Sequence, residues 1–261
     1  MKKPLITIIT VSFNSEKTIE ETILSVITQS YDNYEYIIVD GGSSDSTLKI
    51  IEKYASKITK SISEPDKGIS DAFNKGISLA SGDVIGIINS DDLLIDNALE
   101  IVANAYEENV EVYRGQMVIW DDQKDAKYIS IPTMSTPPPK RIPAVCHPST
   151  FISSNAYRRF GMYNVNFRYM MDVDLLYRFH NHHAVFKYID KELAVFRVGG
   201  ATSDNWKKKR PELMCVLEAN GCNKRQILLR LFMDDIYNML KQLCFKIFGE
   251  RNVRLIKYNR K

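Results

Sequence analysis

LITIITVSFNSEKTIEETILSVITQSYDNYEYIIVD, residues Leu5 to Asp40, is the stretch that decides the fold class. Leu5–Val11 is a β-branched run without polar alternation, the pattern of a strand covered on both faces. Ser15 and Glu16, with Glu20 and Glu21, open a helix whose Ile19, Ile23, Val26 and Ile27 share one face. Tyr34–Val39 is a second strand, stopped by Asp40-Gly41-Gly42. A buried strand, an amphipathic helix and another buried strand make one turn of a parallel α/β sheet.

The unit repeats along the chain. Asp45 and Ser46 cap a helix through Ile50, Ile51 and Tyr54, and Ile58–Ser63 makes a shorter third strand. Gly68–Ala80 is a third helix. Val84–Ile88 is a fourth buried strand ending in Asn89-Ser90-Asp91-Asp92, and a helix follows over Asn97–Glu107 with Asp96 as a cap candidate. The pattern predicts a mostly parallel sheet with helices on both faces. Beyond it, Val110–Trp120 and Lys127–Ile131 read as strands joined by a turn at Asp121–Asp125, and a Pro-rich loop runs from Pro132 to Pro143. Thr150–Ser153 reads as a return to the sheet, Asp172–His180 as a helix, and Val185–Tyr188 and Leu193–Arg197 as two short strands. From Trp206 onward the chain is helical, with one long helix over Arg225–Phe248, and no internal repeat is present.

Composition bounds the rest. The 261 residues, 44% hydrophobic and 26% charged, suit an ordinary globular protein large enough for one α/β domain and a small appendage. The net charge of +3 is unevenly placed: residues 206–261 hold 14 Lys/Arg against 5 Asp/Glu, so residues 1–205 are acidic. That split divides the chain into a domain over 1–205 and a basic amphipathic extension over 206–261. Cys146, Cys215, Cys222 and Cys244 have no metal-ligand spacing and read as reduced thiols of a cytosolic protein. The apolar N-terminal run is strand-like, without the features of a signal peptide, and no run is long enough to span a bilayer as a helix.

In an open parallel sheet, ligands sit beyond the carboxyl ends of the strands. Four such ends are polar here: Ser12/Asn14, Asp40-Gly41-Gly42, Glu64-Pro65-Asp66 and Asn89-Ser90-Asp91-Asp92. Carboxylates gathered at one edge repel unless they share a cation, and a divalent metal is the natural partner. A single strand-end Asp is more often a cap or turn residue, as Asp45 and Asp96 read; Asp40, Asp91 and Asp92 stand out because they recur at equivalent ends.

TIITVSFNSEKTIEETILSVITQSYDNYEYIIVDGGSSDST (Thr7–Thr47), SDAFNKGISLASGDVIGIINSDD (Ser70–Asp92) and MDVDLLYRF (Met171–Phe179), in that order, resemble the family 2 glycosyltransferases over roughly residues 4–203. The resemblance implies a GT-A fold, a nucleotide-sugar donor (a UDP-sugar before dTDP- or GDP-sugars), Mn²⁺ or Mg²⁺, and inversion at the anomeric carbon. Residue by residue, it places Ser12 and Asn14 near the nucleotide and gives Asp40 the base N3–H. It makes Asp71 a nucleotide residue, with Asn74 and Lys75 beside it, the plain alternative being a first-turn helix carboxylate. Asn89-Ser90-Asp91-Asp92 takes the place of an Asp-x-Asp motif, with Asp91 and then Asp92 as metal ligands. Asn89 stands where many relatives carry Asp, so it offers a ribose hydroxyl an amide in place of a charge.

Asp172 falls at the family's catalytic base, with Met171 where relatives have Glu, and an inverting transfer needs one such carboxylate. Asp174 competes, but helical spacing turns it about 200° away. His147 reads either as an acceptor or diphosphate residue or as a packed structural histidine. Arg197 stands near the place where some relatives have a metal-binding His, and there it would contact phosphate. The Gln-x-x-Arg-Trp motif of polymerising relatives is absent, which implies single-sugar addition to a growing glycan or lipid-linked oligosaccharide in polysaccharide biosynthesis.

Three functions compete at this level. The first is such a transferase. The second is a catalytically silent nucleotide-sugar or glycan-binding module, suggested by Asn89 and the missing His. The third, a dinucleotide oxidoreductase, is disfavoured because Ser12-Phe13-Asn14 replaces a Gly-x-Gly-x-x-Gly turn; nothing in the chain suggests a nucleic-acid partner. The tail, with Trp206, Lys207–Arg210 and Leu228, Leu231, Phe232, Leu240, Leu243, Phe245 and Phe248, fits a membrane surface. It fits equally a helix packed on the catalytic domain or in a homodimer. The first alternative would place a cytoplasmic enzyme on the inner face of the cytoplasmic membrane.

Overall fold

A computed structural model describes residues 3–121, 126–132, 145–199 and 206–249. The first half alternates as the sequence predicts: β1 (Ile6–Ser12), α1 (Ile19–Ile27), β2 (Tyr34–Asp40), α2 (Thr47–Lys53), β3 (Lys60–Ser63), α3 (Ile69–Leu79) and β4 (Val84–Asn89). β5 (Leu93–Leu94), α4 (Ala98–Ala105), β6 (Val112–Asp121), β7 (Ala126–Ser130), β8 (Thr150–Ser153), α5 (Ser154–Phe160), α6 (Met171–Asn181) and β9 (Phe186–Arg197) complete the body, and α7 (Trp206–Ala219) and α8 (Lys224–Phe248) follow. The turn at 122–125 and the Pro-rich stretch 133–144 lie outside the described residues.

The sheet runs β3-β2-β1-β4-β8-β6-β9-β5, with β7 paired to β6. β3, β2, β1 and β4 are parallel, while β8 is antiparallel to both β4 and β6, and β5 is antiparallel to β9. The sheet is therefore mixed. One face buries Ile6, Ile8, Tyr36 and Ile38 under Ile19, Ile23 and Val26 of α1 and Leu99 and Val102 of α4. The other buries Ile9, Val11, Ile37 and Val39 under Phe73 and Ile77 of α3 and Leu175, Leu176 and Phe179 of α6. Each such side chain stabilises the fold by about 1.5–3 kcal/mol, so the unbroken apolar strands commit the chain to two covering layers.

Local readings need four corrections. The first helix begins at Ile19, because Ser15–Thr18 forms a turn in which the Ser15 carbonyl accepts from Thr18 and Ile19. At α2, Asp45 accepts from the Thr47 amide at 3.0 Å, whereas Ser46 makes no side-chain cap. At α4 the preceding residue is Asn97, with φ of 63°, and neither it nor Asp96 caps the helix. Residues 186–197 form one strand, not two. β9 follows β6 through register shifts around Gly115 and Gln116, and a Cβ at Gly115 would collide with Leu193, so only glycine lets the strands meet there.

The extension is tied to the body. Leu213, Val216 and Leu217 of α7 and Ile227 and Leu231 of α8 pack on Met170, Val173 and Tyr177 at and in α6. Asn223 and Gln226 form a reciprocal capping box at the start of α8, and Gly249, with φ of 76°, ends it.

Candidate active site

Because β1 to β4 run parallel, their carboxyl ends share one edge, with Ser12 opposite Asp40, Asp40 opposite Ser63, and Val11 opposite Asn89. β9 also runs toward this edge and ends at Arg197, while antiparallel β8 enters from it, so His147, in the short helix just before β8, lies there too. The topology thus brings the candidate residues to one rim in three clusters.

The first cluster surrounds Asp40. Its carboxylate accepts from the Ser12, Ser43 and Ser63 hydroxyls at 2.9, 2.5 and 2.8 Å, and from the Gly42 and Ser43 amides at 3.0 and 2.8 Å. Burial alone would raise its pKa, but these donors outweigh burial and hold it below the usual carboxylate value. Asn14, with φ of 49°, closes the same loop by accepting from the Ser44 amide at 2.9 Å. Three of these hydroxyl donors can rotate away, so Asp40 can exchange a hydroxyl for a ligand N–H.

Two more residues border this cluster: Phe13, to which the sequence reading gave no role at the site, and Asp66, read there only as part of the polar end of the third strand. Phe13, between Ser12 and Asn14, is 63% exposed at the rim. The Asp66 carboxylate rests on Gly41, where a Cβ would come within 2.5 Å of it. Asp71 accepts from the Lys67 amide at 3.0 Å, so it serves the loop entering α3 as well as the helix's first turn. Lys75 holds that loop through Glu64 at 2.8 Å and the Pro65 carbonyl at 2.9 Å, and Asn74 is engaged with the Tyr163 backbone.

The second cluster follows β4. The Asp92 carboxylate accepts from the Arg197 amide at 3.2 Å and the Asn89 side-chain amide at 3.1 Å. Burial pushes Asp92 well above the usual carboxylate range, and neighbouring Asp91 adds to the shift. Burial raises Asp91 as well, with its own amide and Arg197 acting against it. The Asn89 side-chain carbonyl oxygen is buried and unpartnered. Two carboxylates short of counter-charge and one orphaned oxygen form an all-oxygen donor set, which fits a hard divalent cation. Among the described residues no three His, Cys, Asp or Glu side chains gather as a metal site. A cation held by one or two carboxylates usually completes its shell with water and substrate phosphate. The Arg197 guanidinium pairs with Glu21 and lies 4.8 Å from the Trp120 ring centroid, leaving its buried Nε without a partner.

The third cluster is at the head of α6. The Asp172 side chain is 21% exposed and its Oδ1 lies 3.6 Å from His147 Nε2, too far for a hydrogen bond. That oxygen has no hydrogen-bond donor. Burial raises the Asp172 pKa, and His147 partly offsets the rise. His147 stacks on Phe73 with centroids 5.0 Å apart and shares a 3.2 Å contact with the Tyr163 hydroxyl. Asp174 is committed elsewhere: buried, it pairs with Arg178 at 2.9 Å. Glu212 of α7 accepts from the amides of Arg168, Tyr169 and Met170 at 3.0, 2.7 and 2.9 Å, fixing the loop that delivers Asp172. Nothing in the sequence marks Glu212, because its partners are backbone groups more than forty positions away.

Comparison with known proteins identifies the family and the fold. The family model for glycosyl transferase family 2 matches residues 7–165. The UDP-Glc:alpha-D-GlcNAc-diphosphoundecaprenol beta-1,3-glucosyltransferase WfgD of Escherichia coli is 41% identical over 98 residues, 37% of this chain and 39% of that protein. In the first curated relatives the aligned stretch spans 39% to 68% of the relative's own length. Among solved structures, S. aureus TarS 1-349 in complex with UDP-GlcNAc aligns with a TM-score of 0.63 and 16% identity, covering 98% of this chain and 76% of that one. The mannosyltransferase PcManGT from Pyrobaculum calidifontis, in complex with GDP-Man and Mn²⁺, aligns with a TM-score of 0.61 and 16% identity, covering 82% and 62%. At these identities the structural likeness shows a shared fold.

Proposed function

We propose, from the premise that this chain belongs to glycosyltransferase family 2 and has the GT-A fold, that it transfers a single sugar from a UDP-sugar to a hydroxyl of a growing, lipid-linked glycan, inverting the anomeric carbon. The observation that carries the reading is Asp172: a largely buried carboxylate at the sheet's ligand edge, with one oxygen lacking any donor and a pKa raised by burial. A carboxylate in that state is poised to take a proton. The UDP-GlcNAc complex of a fold neighbour and the UDP-Glc donor and GlcNAc-diphosphoundecaprenol acceptor in the name of WfgD support the substrate classes.

In this reading Ser12, Asn14, Asp40 and Asp71 shape the nucleotide pocket, with Phe13 and Asp66 at its wall. Asp91 and Asp92, aided by Asn89, would hold Mn²⁺ or Mg²⁺. The cation, when bound, supplies counter-charge to the diphosphate leaving group. Asp172 accepts the proton of the acceptor hydroxyl as that oxygen attacks the anomeric carbon, while the bond from that carbon to the diphosphate oxygen breaks and its electrons leave with UDP. One carboxylate and one displacement give inversion. His147 lies beside Asp172 and limits the rise in its pKa. Arg197 acts by fixing Asp92 through its backbone and by placing positive charge beside the Asp pair.

Calorimetry with UDP, GDP and dTDP, with and without Mn²⁺, tests the donor site. UDP binding strengthened by Mn²⁺ is expected. Absence of nucleotide binding in the presence of metal would overturn the reading, and tight UDP binding without turnover on any UDP-sugar would favour the silent binding module.

A further inference from the structure

The two faces of α8 have different fates. Ile227 and Leu231 are buried against α7 and α6, whereas Leu229, Phe232, Ile236, Leu240, Leu243 and Ile247 are 38–62% exposed. At 100° per residue these six fall within an arc of about 80°, and they run about 27 Å along the helix. A continuous apolar face of this size is unusual on a protein surface and marks a place where something docks.

Charge identifies the occupant. Asp234 is paired with Arg230 and Asp235 with Arg210, so both carboxylates of α8 are neutralised within the extension. Lys224, Arg225, Lys241 and Lys246 of the same helix form no ion pair among the described residues, and Lys208 and Lys209 of α7 add to them. A second copy laid on this face would set one strongly basic segment against another. No described helix is long and apolar enough to cross a membrane. An apolar face flanked by cations suits a helix lying in a lipid interface. We propose that α8 docks the protein on an anionic bilayer, its apolar face in the acyl boundary and its lysines and arginines among the headgroups. Because α8 and α7 pack on α6, such docking would hold the head of α6 near the lipid surface. The inference rests on α7 and α8 and stands or falls separately from sugar transfer.

The test is co-sedimentation of the full chain with phosphatidylcholine vesicles, with and without roughly 30% phosphatidylglycerol. Binding to the anionic vesicles should be at least about tenfold stronger and should weaken in about 0.5 M salt. The double substitution Leu240→Asp and Leu243→Asp should remove most of it, while melting temperature and UDP calorimetry stay unchanged, since both side chains are exposed and lie outside the nucleotide site. Equal binding to neutral and anionic vesicles, or binding to neither, would overturn the proposal. So would a stable dimer that the same substitutions split without any effect on vesicles.

Discussion

Replacing Glu212 by alanine removes one acceptor from three backbone amides at once, those of Arg168, Tyr169 and Met170. A hydrogen bond to a charged group contributes about 1.5–3 kcal/mol net. The three do not add fully here, because Glu212 is only half-buried and water can take over part of its role. A loss of about 2–3 kcal/mol is expected, which for a domain of this size lowers the melting temperature by roughly 5–10 °C. Glu212→Gln keeps an acceptor oxygen without the charge and should lose about half as much. The functional effect should exceed the structural one. The freed loop leads straight into Met171 and Asp172, and a displacement of about 1 Å at a reacting group costs on the order of a hundredfold in rate. The assays are urea denaturation and the rate of UDP release, with UDP affinity as control. Expected are a lower kcat, unchanged nucleotide binding and the stability loss above. An alanine variant within about 0.5 kcal/mol of the parent, with unchanged kcat, would refute the idea that α7 positions the base.

Other perturbations separate the three clusters. Asp91→Asn should reduce Mn²⁺-dependent UDP affinity at least about tenfold while leaving metal-free affinity in place, as read by calorimetry. His147→Phe keeps an aromatic ring against Phe73 but removes the imidazole that lowers the Asp172 pKa. Transfer needs Asp172 deprotonated, so the acidic limb of the rate–pH profile should move to higher pH; an unmoved limb would show that His147 does not act on Asp172. Gly41→Ala puts a Cβ 2.5 Å from the Asp66 carboxylate and 3.4 Å from Phe13, and should weaken UDP binding by about tenfold. Unaltered UDP affinity would place Asp66 and Phe13 outside the nucleotide pocket.

The first half was legible because β1, β2 and β4 are Ile/Val-rich runs punctuated by Asp, Asn and Gly, and each run ends at the same edge. The second half was less so. β8 has four residues and carries no signal of direction, so His147 could be set at the ligand edge only once its antiparallel pairing with β4 was known. β9 read as two strands because Asp190, Lys191 and Glu192 interrupt its apolar pattern where it bulges against β6. α5 went unread although Ser153 caps it and Gly161, with φ of 85°, ends it, because seven residues give too little periodicity. The tail was readable as amphipathic, and its apolar residues divide between two faces of one helix: Leu231 packs on the body, while Leu240 is exposed. Asp172 and Asp174 could be separated by helical angle alone, and the Arg178 ion pair explains what Asp174 is for.

The most direct test of the account is Asp172→Asn, assayed for sugar transfer from a UDP-sugar and, in parallel, for UDP binding by calorimetry. The substitution keeps size and polarity but cannot accept the acceptor's proton. Loss of transfer by at least about a thousandfold, with UDP affinity within about twofold of the parent, is the predicted result. Near-parental transfer by the Asp172→Asn enzyme would contradict the assignment of the base and, with it, the mechanism built on this carboxylate.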